Sequence, residues 1–205
     1  MKLFGRGDRP ERRGTPADWV VLGLGNPGAE YARSRHNVGA EALEELARRH
    51  GGKLKRSKER ALTAEVTIAG QRVVLAFPQT YMNESGQSAQ LLVRRHGVTD
   101  PDRIIVVHDE LDLPPGTMKV KVGGGLAGHN GLRSLKQHLH TEAFVRVRIG
   151  VGKPPSKDRG ADHVLTRLPK KERETLDVMV QHAADAAEMI IAEGPEAAMT
   201  RFNAL

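Results

Sequence analysis

DWVVLGLGNPGAEYARSRHNVGAEALEELARRHG, residues 18–51, is the stretch that decides the fold. It opens on DWVVLGLG (18–25), a nearly unbroken apolar run closed by glycines. Such a run marks a strand buried on both faces. After a polar interval, VGAEALEELARRHG (38–51) puts Leu43, Leu46 and Ala47 on one helical face and stops at Gly51. A buried strand feeding an amphipathic helix is the unit of an α/β domain.

Working outward, the alternation continues. ALTAEVTIAGQRVVLAFP (61–78) reads as a hairpin turning at Ala69–Gly70, and a helix covers about 84–96. RIIVVHDE (103–110), TMKVKVGG (117–124) and FVRVRIGVG (144–152) read as strands, with HNGLRSLKQHLH (129–140) as a helix before the last. The final 35 residues are mainly helical, with Leu176, Met179, Val180, Ala183, Ala187 and Ile190 as the inward stripe. The expectation is one α/β domain over 18–205 with a mixed sheet flanked by helices. Residues 1–17 are rich in Gly, Pro and Arg without apolar periodicity, and predict a disordered basic tail.

Composition narrows the chemistry. The chain has no cysteine, which removes disulfides, thiolate metal sites and cysteine nucleophiles, and fits a reducing cytoplasm. No apolar stretch nears the roughly 20 residues of a membrane span. The net charge is +7, of which the tail carries +3, so a polyanionic partner is favoured. Aromatics make up only 3%, which argues against a binder that stacks successive bases on rings.

Four polar clusters fall where strands end, the usual place for sites in open α/β sheets. In the first, GLGNPG (23–28) matches a dinucleotide fingerprint, but the third glycine should open a helix. Here a polar stretch intervenes, and the acidic residues about 20 positions on, Glu44 and Glu45, lie inside the helix. The context therefore does not suit a nucleotide turn. His36 lies in that polar stretch, and Asn26 precedes a proline, where a plain turn residue is also expected. HDELDLPPG (108–116) supplies a carboxylate for the histidine. Strand alternation sends Asp109 away from His108 and Glu110, which counts against all three chelating one metal ion. Asn83 in TYMNESG and Asn130 in KVGGGLAGHNGL sit at loop-to-helix junctions, where helix caps are an equal reading. The glycine run lacks the Lys–Ser/Thr pair of an ATP loop, and no GxSxG elbow is present.

A histidine, an aspartate and three asparagines, without a serine or cysteine nucleophile, suit direct attack of water on an activated ester. Lys119 and Lys121 share one strand face, Arg146 and Arg148 share another, and Lys53, Lys55, Arg56, Lys58 and Arg60 form a basic loop. Two basic strands flanking a glycine loop favour a phosphate ridge. A hydrolase of another acyl ester and a non-catalytic RNA-binding module are the competing readings.

Taken together, GLGNPGAEYARSRHNVG, YMNESG, HDELDLPPG and GGGLAGHNGL resemble the bacterial peptidyl-tRNA hydrolases, in order and spacing, from about Trp19 to near the C-terminus. The resemblance implies a monomeric single domain with a twisted mixed sheet, acting without metal or cofactor on peptidyl-tRNA in the cytoplasm. By motif match, His36 resembles the catalytic base and Asp109 its partner. Asn26 and Asn83 match substrate-positioning residues, and Asn130 the asparagine that supports water and oxyanion. Tyr31 matches a residue near the tRNA-end pocket, and Lys121 and Arg148 resemble a clamp on the tRNA 5′-phosphate. Ala127 stands where the family more often has glycine, YMN replaces the frequent FMN, and the basic tail lies outside the family pattern.

Overall fold

The computed structural model describes residues 14–156 and 159–204. The apolar run at the start becomes β1 (Trp19–Gly23), every residue of which is buried. It lies between β4 (Gln71–Pro78) and β5 (Ile104–Glu110), parallel to both. Beyond β5 comes β7 (Val145–Gly150), also parallel. Antiparallel strands close the two edges: β3 (Ala61–Ile68) and β2 (Lys55–Arg56) beside β4, and β6 (Met118–Val122) beside β7. The seven-stranded order is β2-β3-β4-β1-β5-β7-β6, the mixed sheet expected.

Strand alternation builds a core on each face. Val21, Leu75, Ile105 and Val147 face α1 (Val38–Arg49), α5 (Lys170–Glu193) and α6 (Pro195–Phe202). Val20, Leu22, Val74 and Val106 face α2 (Ser85–His96) and α3 (Asn130–Leu139). With both faces covered, the central strands need apolar side chains throughout, which is why they read as unbroken runs. The inward stripe expected on the last helices is buried as read. The β3–β4 hairpin turns on Ala69 and Gly70, both at positive φ (49° and 75°), as a two-residue turn requires.

Two features position the site. The chain leaves β1 for α1 on one face, returns along β4, and reaches β5 through α2 on the other. The carboxyl ends of β1 and β5 therefore diverge into a crevice, the switch point of an open α/β sheet. The start of α1 is also pressed onto the sheet: a Cβ at Gly39 would stand 2.2 Å from the Val107 carbonyl oxygen. Only glycine permits that approach, and it draws the residues just before α1 against the end of β5.

Some elements escaped the pattern reading: β2, short 3₁₀ turns at Arg35–Asn37, Met82–Glu84 and Pro101–Arg103, and α4 (Gly160–Leu165). Most of the expected tail lies outside the described residues. At its end, Thr15 and Ala17 are hydrogen-bonded to buried His96 of α2, through His96 Nδ1 to the Thr15 carbonyl (2.8 Å) and Ala17 N–H to the His96 carbonyl (3.1 Å).

Candidate active site

His36 sits in the 3₁₀ turn that leads into α1, and Asp109 near the end of β5. Their side chains meet: His36 Nδ1 lies 2.9 Å from Asp109 Oδ1 and 3.0 Å from Oδ2. An ionised carboxylate only accepts, so Nδ1 carries the hydrogen and Nε2 keeps its lone pair. Burial works to lower the His36 pKa, but the charge of Asp109 and its hydrogen bond outweigh it and raise the pKa above its ordinary value. Burial likewise pushes Asp109 up, yet His36 and His129 together hold it well below the usual carboxylate range.

His129 is the residue that sequence reading passed over. Its Nε2 donates to Asp109 Oδ1 at 2.9 Å, so one carboxylate joins two imidazoles. Its Nδ1 accepts from the backbone N–H groups of Gly131 (3.1 Å) and Leu132 (3.3 Å), capping α3. Both ring nitrogens are thus committed and the tautomer is fixed. A histidine is not a standard capping residue, which hid this role. Behind it, fully buried His108 packs edge-on at 5.0 Å and donates Nδ1–H to the Asp109 carbonyl at 2.7 Å. Burial, helped by His129, pushes its pKa down to about 3, so it stays neutral.

His36, Asp109 and His129 bring three ligand-type atoms within 4.8 Å of one another, spacing a metal ion could use. The chemistry of the donors fits hydrogen bonding better. A cation there would have to expel the protons that His36 Nδ1 and His129 Nε2 both direct at Asp109, while His129 Nδ1 serves the helix amides. The expected divergence along β5 holds, since Glu110 turns to Arg148 instead (3.1 Å).

His36, Asp109, His129 and Asn130 line a cavity of about 200 Å³ together with Ala127, Gly128 and residues of α4. Asn130 is exposed at the first turn of α3, and its neighbour His129 does the capping. Asn83 lies exposed in its 3₁₀ turn. Neither amide has a hydrogen-bond partner among the described residues, so the alternative reading of both as caps does not hold. Asn26 is buried and accepts from the Met82 N–H through Oδ1 at 2.7 Å, an orientation that leaves its Nδ2 free to donate. Asn37, unremarked in the sequence, clasps the Asn26 backbone from both sides at 2.9 and 2.8 Å. Asn26 and Asn37 border a separate groove of about 580 Å³, whose lining shares no residue with that cavity. Tyr31 is half-buried in the turn before His36 and lines neither space.

The basic strands pair in register, Lys119 with Arg148 and Lys121 with Arg146, so all four share one face. They are not equivalent. Arg146 is buried and donates to the carbonyls of Gly124 (2.6 Å) and Gly125 (2.7 Å), which makes it a brace for the glycine loop rather than part of a surface ridge. Arg148 is paired with Glu110, whereas Lys119 and Lys121 are exposed. The basic loop at 53–60 lies at the other edge of the sheet.

Known proteins match most of the chain. A family model described as peptidyl-tRNA hydrolase matches residues 20–205. The chain belongs to that family. The peptidyl-tRNA hydrolase of Frankia alni is 47% identical over 187 residues, covering 91% of this chain and 94% of its own length. That of Rubrobacter xylanophilus is 50% identical over 183 residues, covering 89% and 99%. Among solved structures, Acinetobacter baumannii peptidyl-tRNA hydrolase matches with a TM-score of 0.87 at 39% identity, covering 93% of this chain and 98% of that one. In this peptidyl-tRNA hydrolase family member, Ala127 takes a backbone conformation that a side chain disfavours. Its φ is +49°, in the left-handed region where glycine carries no penalty.

Proposed function

We propose that this chain hydrolyses the ester joining a peptide to the 3′ end of tRNA, with His36 as general base and Asp109 as its partner. The observation that carries the reading is the doubly hydrogen-bonded His36–Asp109 pair at the switch point, which leaves His36 Nε2 as the available base in the cavity. Water attacks the ester carbonyl as Nε2 takes its proton, and Asp109 stabilises the imidazolium that forms. The amides of Asn26, Asn83 and Asn130 supply N–H donors for the acyl group and the oxyanion. The intermediate then collapses, and the tRNA hydroxyl leaves with the proton held by His36. General-base help gives about 10²–10⁴ in rate and one oxyanion donor about 10²–10³, enough for an activated ester.

Lys121 and Arg148 hold the 5′-phosphate of the acceptor stem, and Tyr31 lies toward the tRNA end. The enzyme works in the cytoplasm, where peptidyl-tRNA is made, and as a monomer. It needs no metal or other cofactor. Incubation with N-acetylaminoacyl-tRNA and with free aminoacyl-tRNA, each with and without EDTA, tests the reading. The first substrate is expected to be cleaved, the second hardly, and EDTA to change neither. Preference for the free aminoacyl ester, or activity lost to EDTA and restored by zinc or manganese, would overturn it.

A further inference from the structure

We infer that the β2 edge of the sheet is a second RNA-binding surface, which grips the phosphate backbone of an RNA other than the acceptor arm being cleaved. The inference rests on the proposed function for the placement of the substrate. Lys53, Lys55, Arg56 and Lys58 are all exposed on β2 and its flanks. Among the described residues none of the four is in an ion pair or a side-chain hydrogen bond. The one acidic residue within the segment, Glu59, is buried and turned inward onto Arg95 at 3.2 Å. Four cations thus stand along one short sheet edge, on both of its faces, without an ion-pair partner among the described residues.

The pairing of Glu59 with Arg95 is backed by a segment distant in sequence. A Cβ at Gly14 would stand 2.6 Å from Arg95 Cγ, so the chain enters the fold against the residue that holds Glu59.

That edge is separate from the acceptor-arm clamp. Strands lie ~4.8 Å apart, so β6 with Lys121 is ~10 Å from β5 on one side, and β2 is ~19 Å away on the other. With the 5′-phosphate at β6 and the 3′ end at His36, as proposed above, the β2 edge stands six strand spacings, ~29 Å, from the clamp. Residues 53–60 contain no aromatic side chain, which fits contact with phosphates rather than with stacked bases. The exposed large apolar residues, Tyr81, Leu91, Val122 and Val178, all lie outside the segment, so it lacks the apolar anchor of a membrane surface.

The test uses the full chain saturated with an acceptor-arm minihelix, to which a labelled blunt RNA hairpin is added. The wild type is expected to bind the hairpin as a third component. Replacing Lys53, Lys55, Arg56 and Lys58 together by Ser should weaken hairpin binding at least about tenfold and flatten the log-affinity versus log-salt slope by about 3. On N-acetylaminoacyl-tRNA, KM and kcat should stay within about twofold of wild type, and the melting temperature should not move. Unchanged hairpin binding overturns the inference. A parallel rise in KM also overturns it, because the strip would then hold the substrate's own tRNA. So does binding to anionic phosphatidylglycerol vesicles without binding to the hairpin. The two readings fail separately: absence of esterase activity in the wild type strikes the proposed function, whereas an unaltered hairpin affinity strikes this inference alone.

Discussion

Asp109 accepts from two imidazoles at once, and this gives a prediction at the scale of single residues. The His36 pKa is raised chiefly because Asp109 overcomes the effect of burial, so His36 becomes a free base only above its ordinary range. The acid limb of kcat/KM is therefore expected above pH 6.5, the ordinary His value. Asp109→Asn removes the charge but not the volume. Turnover should fall steeply, and the residual acid limb should move to lower pH, since the uncompensated burial now lowers the pKa. A pH profile of both proteins checks this; a limb that stays in place or moves up would mean Asp109 does not set the His36 pKa. The pairing of these residues was legible from the sequence, because a loop histidine and a strand-end carboxylate flank one crevice. The burial of Arg146 was not. Arg–Val–Arg on a strand looks like a solvated face, and nothing local announces that the carbonyls of a distant glycine loop fold over it.

At the scale of elements, α4 forms one wall of the catalytic cavity through Gly160, Ala161 and Val164. Buried Arg35, next to His36 in the chain, donates to the His163 carbonyl at 2.8 Å and pairs with Glu172 of α5. Arg35→Ala is expected to loosen this wall, so amide exchange over 160–166 should quicken while the central strands stay protected. Equal quickening throughout would show a general loss of stability instead. Sequence pattern found the long elements because their apolar faces are periodic or continuous. It missed β2, with two exposed cationic residues, and α4, too short for any period to show. The chain start gives a second test. Truncation after residue 17 strips the Thr15 carbonyl from buried His96, costing about 1–3 kcal/mol. The melting temperature should drop by about 2–12 °C relative to truncation after residue 13. Equal melting temperatures would mean that these hydrogen bonds do not stabilise the fold.

For the whole molecule, the question is how tRNA is told from a small ester. Lys121 is exposed over the glycine loop, so Lys121→Ala should raise KM for peptidyl-tRNA, leave kcat nearly unchanged, and flatten the salt slope by about 0.7–0.9. A substrate ending at the terminal adenosine lacks the phosphate and should not respond. Arg148→Ala is expected to behave differently. It strands buried Glu110 beside the cavity, so kcat and stability should fall together with affinity. Equal effects of Lys121→Ala on the long and short substrates would remove it from tRNA recognition. The central claim is that His36 is the base of an esterase, and it is tested most directly by one rate. Turnover of saturating N-acetylaminoacyl-tRNA by His36→Ala should fall about 10²–10⁴-fold, with tRNA affinity little changed. Turnover close to that of the wild type would contradict the account.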